Sequence, residues 1–518
     1  MSGMRRKILW VDDEIEFLRS HIMFLETRGY SVFPVYSGDE AVRLIKENPS
    51  VYDIVLLDEQ MPGKSGLAAL DEIREIEPDL PVIMITGNQK EQAVETALGK
   101  KIDAYLIKPV NPNQILLCCK RILDSKRLIS THLSEKYLRK FTENNALLNS
   151  FLNVSDWINL YESLVKWDLK LEEVDNEGLR QMHAGQKSDC NKRFGSFVSE
   201  NYAQWITGGQ SKPALMSNDI VEKVAVPRLR NGHSVLMVVL SGMRLDQFLM
   251  IEPELKEHFS VNSLRFVSSL PTSYEFCRTS LVSGEYPQTV SELIPGIFEG
   301  KVDMCNEDVM TLLTRHGLKR LGVEGVDTFY INANGLSEGQ QLNAIVNSLR
   351  KEPTFGVVAL DVINQFLSIS GAGNLFKEGA SDDVTFRGLV KFWFINSVIM
   401  KLVKEASNNS CTVILTSDHG HILCSRSAEI YGRPKINSNR RYLSGKKLSA
   451  DERNVLFLEE PSYFKLPGGA AETKWLMARE NYYFIYPEKF GHYQKQCLNC
   501  FQYGGISLEE MIMPLYIF

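Results

Sequence analysis

The stretch Asp53-Ile54-Val55-Leu56-Leu57-Asp58-Glu59-Gln60-Met61-Pro62-Gly63-Lys64-Ser65-Gly66 decides the N-terminal fold. An apolar run ends in a carboxylate and a Pro-Gly turn follows, which reads as a buried strand delivering Asp58 to a loop. Three other runs are built the same way. Ile8-Leu9-Trp10-Val11 ends in Asp12-Asp13, Val82-Ile83-Met84-Ile85 in Thr86, and Tyr105-Leu106-Ile107 in Lys108-Pro109. In a parallel α/β sheet such ends converge on one crevice. That crevice would gather three carboxylates, a hydroxyl and a lysine.

This set suits phosphoryl transfer to Asp58. Asp12, Asp13 and Asp58 can hold one Mg²⁺, a hard ion that prefers oxygen ligands. Lys108 and the metal would offset the charge of an incoming phosphoryl group, and Thr86 would hydrogen-bond it afterwards. The pattern, over roughly residues 5–124, resembles the receiver domain of bacterial response regulators. Asp12, Asp13, Asp58, Thr86 and Lys108 match that family's positions, and Tyr105 its aromatic switch position. The metal set carried over is Asp13, Asp58 and Gln60. The resemblance implies a flavodoxin-like fold, a sensor histidine kinase as partner, and homodimerisation on phosphorylation through the face carrying the last strand and helix.

A chain of 518 residues is too long for one domain. With 44% hydrophobic and 24% charged residues its composition is ordinary for a globular protein. No apolar run approaches the ~18 residues of a membrane helix, Val235–Leu240 being among the longest, so no membrane insertion is expected. The basic start Met1-Ser2-Gly3-Met4-Arg5-Arg6-Lys7 leads straight into a strand rather than a signal peptide. The nine scattered cysteines then read as reduced thiols in a cytoplasm. A net charge of −6 argues against bulk nucleic-acid binding.

Beyond residue 124 the pattern changes. Gln114–Leu123 reads as the last helix of the first domain, running on through Ile129. Leu147, Leu148, Phe151, Leu152, Trp157, Ile158, Tyr161, Leu164 and Val165 then recur near helical spacing. Trp157 and Trp167 read as core of a helical bundle over residues 125–210. Between residues 126 and 190 stand nine Lys/Arg against ten Asp/Glu, which does not fit a basic DNA-reading face. Residues 211–518 alternate buried-strand runs with helical stretches, giving a large second α/β domain. Residues 425–475, rich in Ser, Gly, Asn, Arg and Lys, read as an insertion. There Arg440-Arg441 and Lys446-Lys447 form either a basic rim for a phosphodiester or a solvated loop.

Strands of this second domain also end in polar groups. Ser241 follows Val235–Leu240, Thr272 follows Ser268-Ser269-Leu270-Pro271, Asp361 follows Val357–Leu360, and Asp418-His419-Gly420-His421 follows Val413–Ser417. His492 lies near the end, before Gly504-Gly505-Ile506-Ser507-Leu508-Glu509-Glu510. Carboxylates and imidazoles gathered at one sheet edge suit Zn²⁺. The order of these groups, with Ser-Asp-His-Gly, resembles the alkaline phosphatase superfamily. The Gly-Gly-Ile-Ser-Leu-Glu-Glu ending and Met243-Arg244-x-Asp246 resemble its PglZ branch. With the receiver and the bundle, the whole chain resembles the PorX-like response regulators of the type IX secretion system.

The resemblance implies a Zn-dependent phosphodiesterase for nucleotides or small oligonucleotides, with an extracytoplasmic-function sigma factor among its partners. Thr272 would be the nucleophile. Asp418 and His419 would hold one zinc, and Asp361 and His492 the other. Two positions depart from the pattern: Ser241 stands where Asp is expected and Gln365 where His is expected. A hydroxyl and an amide are weaker ligands, and Asp246, Asn364 and His421 are the candidates to compensate. Two readings stay open: an enzyme holding up to two zinc ions, or a phosphorylation-switched interaction protein with a degraded, inactive site.

Overall fold

The computed structural model describes residues 5–87, 102–172, 176–209, 212–304, 306–335, 340–351, 353–362, 383–434, 440–468, 473–486 and 497–518. The chain divides into two compact units, Met1–Arg139 and Lys140–Phe518.

In the first unit the apolar runs become strands β1 (Arg6–Val11), β2 (Tyr30–Val35), β3 (Ile54–Asp58), β4 (Val82–Thr86) and β5 (Ala104–Ile107). They form one parallel sheet in the order β2-β1-β3-β4-β5. All five residues of β3 and all five of β4 are buried, as continuous apolar runs in a sheet covered on both faces require. Alternate residues feed two cores: Ile8, Trp10, Ile54, Leu56, Ile83 and Ile85 pack on one face, and Leu9, Val11, Val55, Leu57, Val82 and Met84 on the other. Helices α1 (Arg19–Glu26), α2 (Gly38–Glu47) and α3 (Gly66–Ile76) alternate with the strands. Ser37 and Ser65 cap α2 and α3 by accepting from Glu40 N and Ala68 N. Helix α4 (Pro112–Leu148) extends well past Ile129. Cys118 and Cys119 pack into the first core, where burial pushes the Cys119 thiol up to about 12.

The second unit is built on a six-stranded sheet. Its strands are β6 (Val235–Ser241), β7 (Asn262–Val267), β8 (Asp327–Asn332), β9 (Thr354–Asp361), β10 (Thr412–Thr416) and the last strand of the chain, Ile512–Ile517. β10, β6, β9 and β8 run parallel, and the last strand lies antiparallel between β10 and β7. β6 comes first in sequence but sits between β9 and β10. The strand order therefore reverses beside β6, at a switch point where such sheets open a crevice. Along β6, Leu236, Val238 and Leu240 face one core, and Val235, Met237 and Val239 the other.

Helices α5 (Val154–Glu172) and α6 (Glu177–Ile206) belong to this same unit. Trp157, Leu160, Leu164, Phe194, Val198 and Trp205 share a core with Leu270, Phe276, Leu508 and Met511. The helical segment is thus a layer on the α/β domain, joined to it by apolar burial. Trp157 is buried as expected, whereas Trp167 is half-buried with Lys170 Nζ 5.1 Å from its ring centroid. Within the segment read as an insertion, the described residues Tyr431–Pro434, Tyr442–Ser449, Thr473–Ala478 and Val455–Leu458 make a four-stranded sheet over Leu443, Leu448, Val455 and Leu476. Among the described residues no helix is long and apolar enough to cross a membrane.

Candidate functional sites

Each unit places a set of polar side chains at the carboxyl ends of its strands. In the first unit Asp12 and Asp58 are buried and Asp13 is exposed, and their nearest carboxylate oxygens all lie within 4.8 Å of one another. Lys108 Nζ reaches Asp12 Oδ2 at 2.9 Å and Asp58 Oδ2 at 2.8 Å. Burial raises the proton affinity of Asp58, and Asp12 adds to that, while Lys108 opposes it. The site is thus short of positive charge. Three hard oxygen donors at this spacing fit a divalent ion such as Mg²⁺. Thr86 is buried at the end of β4, next to this cluster through the ladder, and its carbonyl accepts from Lys108 N at 2.7 Å. Gln60 supplies a main-chain hydrogen bond to the Asp58 carboxylate. Tyr105 is half-buried on β5 against the second core.

In the second unit Ser241 and Asp361 end neighbouring strands and pair directly in the ladder. Asp418 follows β10 on the other side of β6 and is fully buried. Ser241 Oγ donates to its carboxylate, 2.8 Å from each oxygen, and Arg278 Nε donates to Oδ2 at 3.1 Å. His419 N reaches Oδ1 at 2.9 Å and Gly242 N at 3.4 Å. Despite burial, the His419 and Arg278 charges and the Ser241 hydrogen bond hold the Asp418 carboxyl below its usual range. His419 Nδ1 donates to Gly420 O at 2.8 Å, leaving Nε2 3.7 Å from Asp418 Oδ1. Thr272 is fully buried, its hydroxyl donating to Gly505 O at 2.6 Å.

The carbonyl that receives Thr272 is held from behind. Gly505 N donates to Glu510 Oε1 at 2.9 Å, and Glu510 forms a fully buried bidentate pair with Arg441, at 2.8 and 2.7 Å. Arg441, read as part of a basic rim or solvated loop, is therefore neither; Lys446 and Lys447 are the exposed members. A Cβ at Gly505 would collide with Ala478 O and the Arg441 guanidinium, and one at Gly420 with Glu509 O, so both motifs need glycine.

Of the positions named as compensating ligands, Asp246 is held by arginines, whereas His421 uses Nδ1 and keeps a buried Nε2 with no hydrogen-bond partner among the described residues. Asp246 accepts from Arg244 at 3.0 and 2.6 Å and from Arg387 at 3.0 Å. His421 donates through Nδ1 to Gly242 O at 2.7 Å, with Phe386 and Phe501 edge-on to its ring. Asn364, Gln365 and His492 lie outside the described residues. Among the described residues of this unit no three His, Cys, Asp or Glu groups offer ligand atoms within 4.8 Å of one another. Asp418 is already saturated by donors, so the described residues do not fit an ion bound at Asp418. Arg278 and Glu510 carry no site role in the sequence reading, and Arg441 carries a different one. Only the closing Glu-Glu gave a signal, because it lies in the Gly-Gly-Ile-Ser-Leu-Glu-Glu motif.

Three family models match the chain in order: the response regulator receiver domain over residues 8–120, the PorX response regulator linker domain over 127–206, and the BREX system PglZ alkaline phosphatase-like domain over 220–518. Among curated proteins, Two-component system protein A of Emericella nidulans is 36% identical over 113 residues, 22% of this chain and 17% of that protein. Transcriptional regulatory protein ResD of Bacillus subtilis is 36% identical over 117 residues, 23% of this chain and 48% of that protein. The chain spans about half or less of the length of these relatives. A CheY-like receiver domain structure from Methanospirillum hungatei is 30% identical and covers 23% of this chain and 95% of its own, with a TM-score of 0.22. One from Clostridium thermocellum is 32% identical and covers 24% and 98%, with a TM-score of 0.23.

Proposed function

The chain belongs to the PorX-like response regulators, with a receiver domain, a PorX linker and a PglZ output domain in that order, and from this premise we propose that it is a phosphorylation switch controlling a phosphoesterase. Asp58 is the phosphoacceptor: an Asp58 O–P bond forms as the N–P bond of a kinase phosphohistidine breaks. Lys108 offsets the transferred charge and Thr86 receives the phosphoryl oxygens. Mg²⁺ on Asp13, Asp58 and Gln60 supplies further charge neutralisation when bound. The proposal places the protein in a cytoplasm, in control of type IX secretion, with a sensor histidine kinase and an extracytoplasmic-function sigma factor as partners.

In the output domain Thr272 is the proposed nucleophile toward a nucleotide or oligonucleotide phosphodiester. The observation that carries this reading is the convergence of Ser241, Asp361, Asp418 and His419 at the switch point of the sheet, with the buried Thr272 hydroxyl aligned by Gly505. Because Asp418 is saturated, zinc is proposed only on the side of Asp361, with Gln365 and His492, as at most one ion per chain. A bound zinc supplies Lewis acidity at the phosphoryl oxygens. The Asp418–Arg278 pair favours a second reading, an interaction protein whose degraded site no longer turns over; equal hydrolysis with and without the Thr272 hydroxyl would select it.

Acetyl phosphate with Mg²⁺ should label wild type and leave Asp58→Ala unlabelled, and labelled protein should hydrolyse a chromogenic phosphodiester at a changed rate. Equal labelling of Asp58→Ala removes the phosphoacceptor, and equal rates remove the control.

A further inference from the structure

Arg278 sits on the helix Tyr274–Ser283, which opens just after Thr272, and only 6% of its surface is exposed. Burial works against its charge, but the Tyr330 hydroxyl and the Asp418 and Asp361 carboxylates outweigh burial, so it remains a cation. Nε is spent on Asp418. Nη2 is buried and has no hydrogen-bond acceptor among the described residues. Buried guanidinium N–H groups are ordinarily satisfied, so one left open at a strand-end crevice points to an acceptor that arrives with a ligand. Asp418 and Arg278 cancel, and Ser241 adds a neutral donor where a second carboxylate would add negative charge. A cluster so composed repels an anion less than paired carboxylates would and holds a dication poorly.

We propose that Arg278 takes the place of one metal ion in this chain: the Asp418–Ser241–Arg278 cluster is a metal-independent anchor whose free Nη2 donates to a phosphoryl oxygen of the ester at Thr272. This deepens the phosphoesterase reading and rests on it for the identity of the ligand. Its test reads binding rather than turnover, so the two fail separately.

The probe is inorganic phosphate, titrated by calorimetry into full-length protein stripped with EDTA and exchanged into chelator-free buffer. Wild type is expected to bind phosphate without metal. Arg278→Gln is expected to weaken binding at least about tenfold, and Arg278→Lys to retain part of it as a point charge without the fork. Because Arg278→Gln leaves Asp418 as an unpaired buried charge, the double variant Arg278→Gln with Asp418→Asn is measured beside it, with circular dichroism as the check on folding. That variant is expected to fold and not to bind. Phosphate binding that appears only after zinc is restored, or that survives unchanged in either Gln variant, would overturn the proposal. So would two zinc ions per chain in wild-type protein purified without chelators.

Discussion

Asp58, the proposed phosphoacceptor, is a buried carboxylate whose surroundings set its charge. Its carboxylate is buried beside Asp12, and desolvation first, then Asp12, raises its proton affinity against the opposing effect of Lys108. The folded protein therefore binds the Asp58 proton more tightly than the unfolded chain does. Its contribution to stability is largest below the ordinary value of 3.8 and falls as pH rises through the raised folded value. At neutral pH the ionised group is a standing cost. Asp58→Asn removes that charge, keeps the shape and leaves Lys108 paired with Asp12. It should raise the melting temperature of the receiver unit at pH 7. A melting temperature below that of wild type would show that the Lys108–Asp58 pair outweighs the desolvation of Asp58. Asp12, Asp13, Asp58, Thr86 and Lys108 were legible in the sequence because each ends an apolar run. Arg278 and Arg441 were not, because each acquires its meaning from a carboxylate far along the chain, Asp418 at 140 residues and Glu510 at 69.

At the scale of elements, the linker helix α6 directly reaches the loop and short helix that hold Gly505 and Glu510. Asn191 Nδ2 donates to Glu509 Oε2 at 2.9 Å and its Oδ1 accepts from Leu508 N at 2.8 Å. The short helix Leu508–Met511 also carries Glu510, which holds Gly505 and through it Thr272. Asn191→Ala removes two buried hydrogen bonds, for a destabilisation of about 2 kcal/mol. Phosphodiester hydrolysis should fall several-fold in this variant while labelling of Asp58 stays at the wild-type level. Wild-type stability and turnover together would show that the linker does not support the loop. The sequence pattern anticipated a helical bundle over residues 125–210 through the spacing of Trp157, Ile158, Tyr161, Leu164 and Val165, but not that α5 and α6 share a core with Leu270 and Phe276. Helical periodicity marks an apolar face and does not say what covers it. The sheet at Tyr431–Ala478 was hidden for a different reason. Its strands carry glycine, serine and lysine among the few buried positions, as in Tyr442-Leu443-Ser444-Gly445-Lys446-Lys447-Leu448.

At the scale of the whole molecule, a phosphoryl group on the proposed acceptor Asp58 would bias a two-state surface that includes Thr86 and Tyr105. The receiver should therefore shift the protein from monomer to dimer when beryllofluoride and Mg²⁺ are added. Light scattering at micromolar concentration reads this as a doubled mass, and an unchanged mass would contradict it. The central claim is that the output domain is a phosphoesterase acting through Thr272. Thr272→Ala deletes a hydroxyl and a methyl group, a small buried volume, so the fold should survive while the proposed nucleophile is lost. The most direct measurement is hydrolysis of a chromogenic phosphodiester by wild type and Thr272→Ala, side by side, with zinc and with manganese. The account predicts that the variant falls by at least about 10²-fold with its circular dichroism unchanged; activity of Thr272→Ala equal to that of wild type with both metals would contradict it.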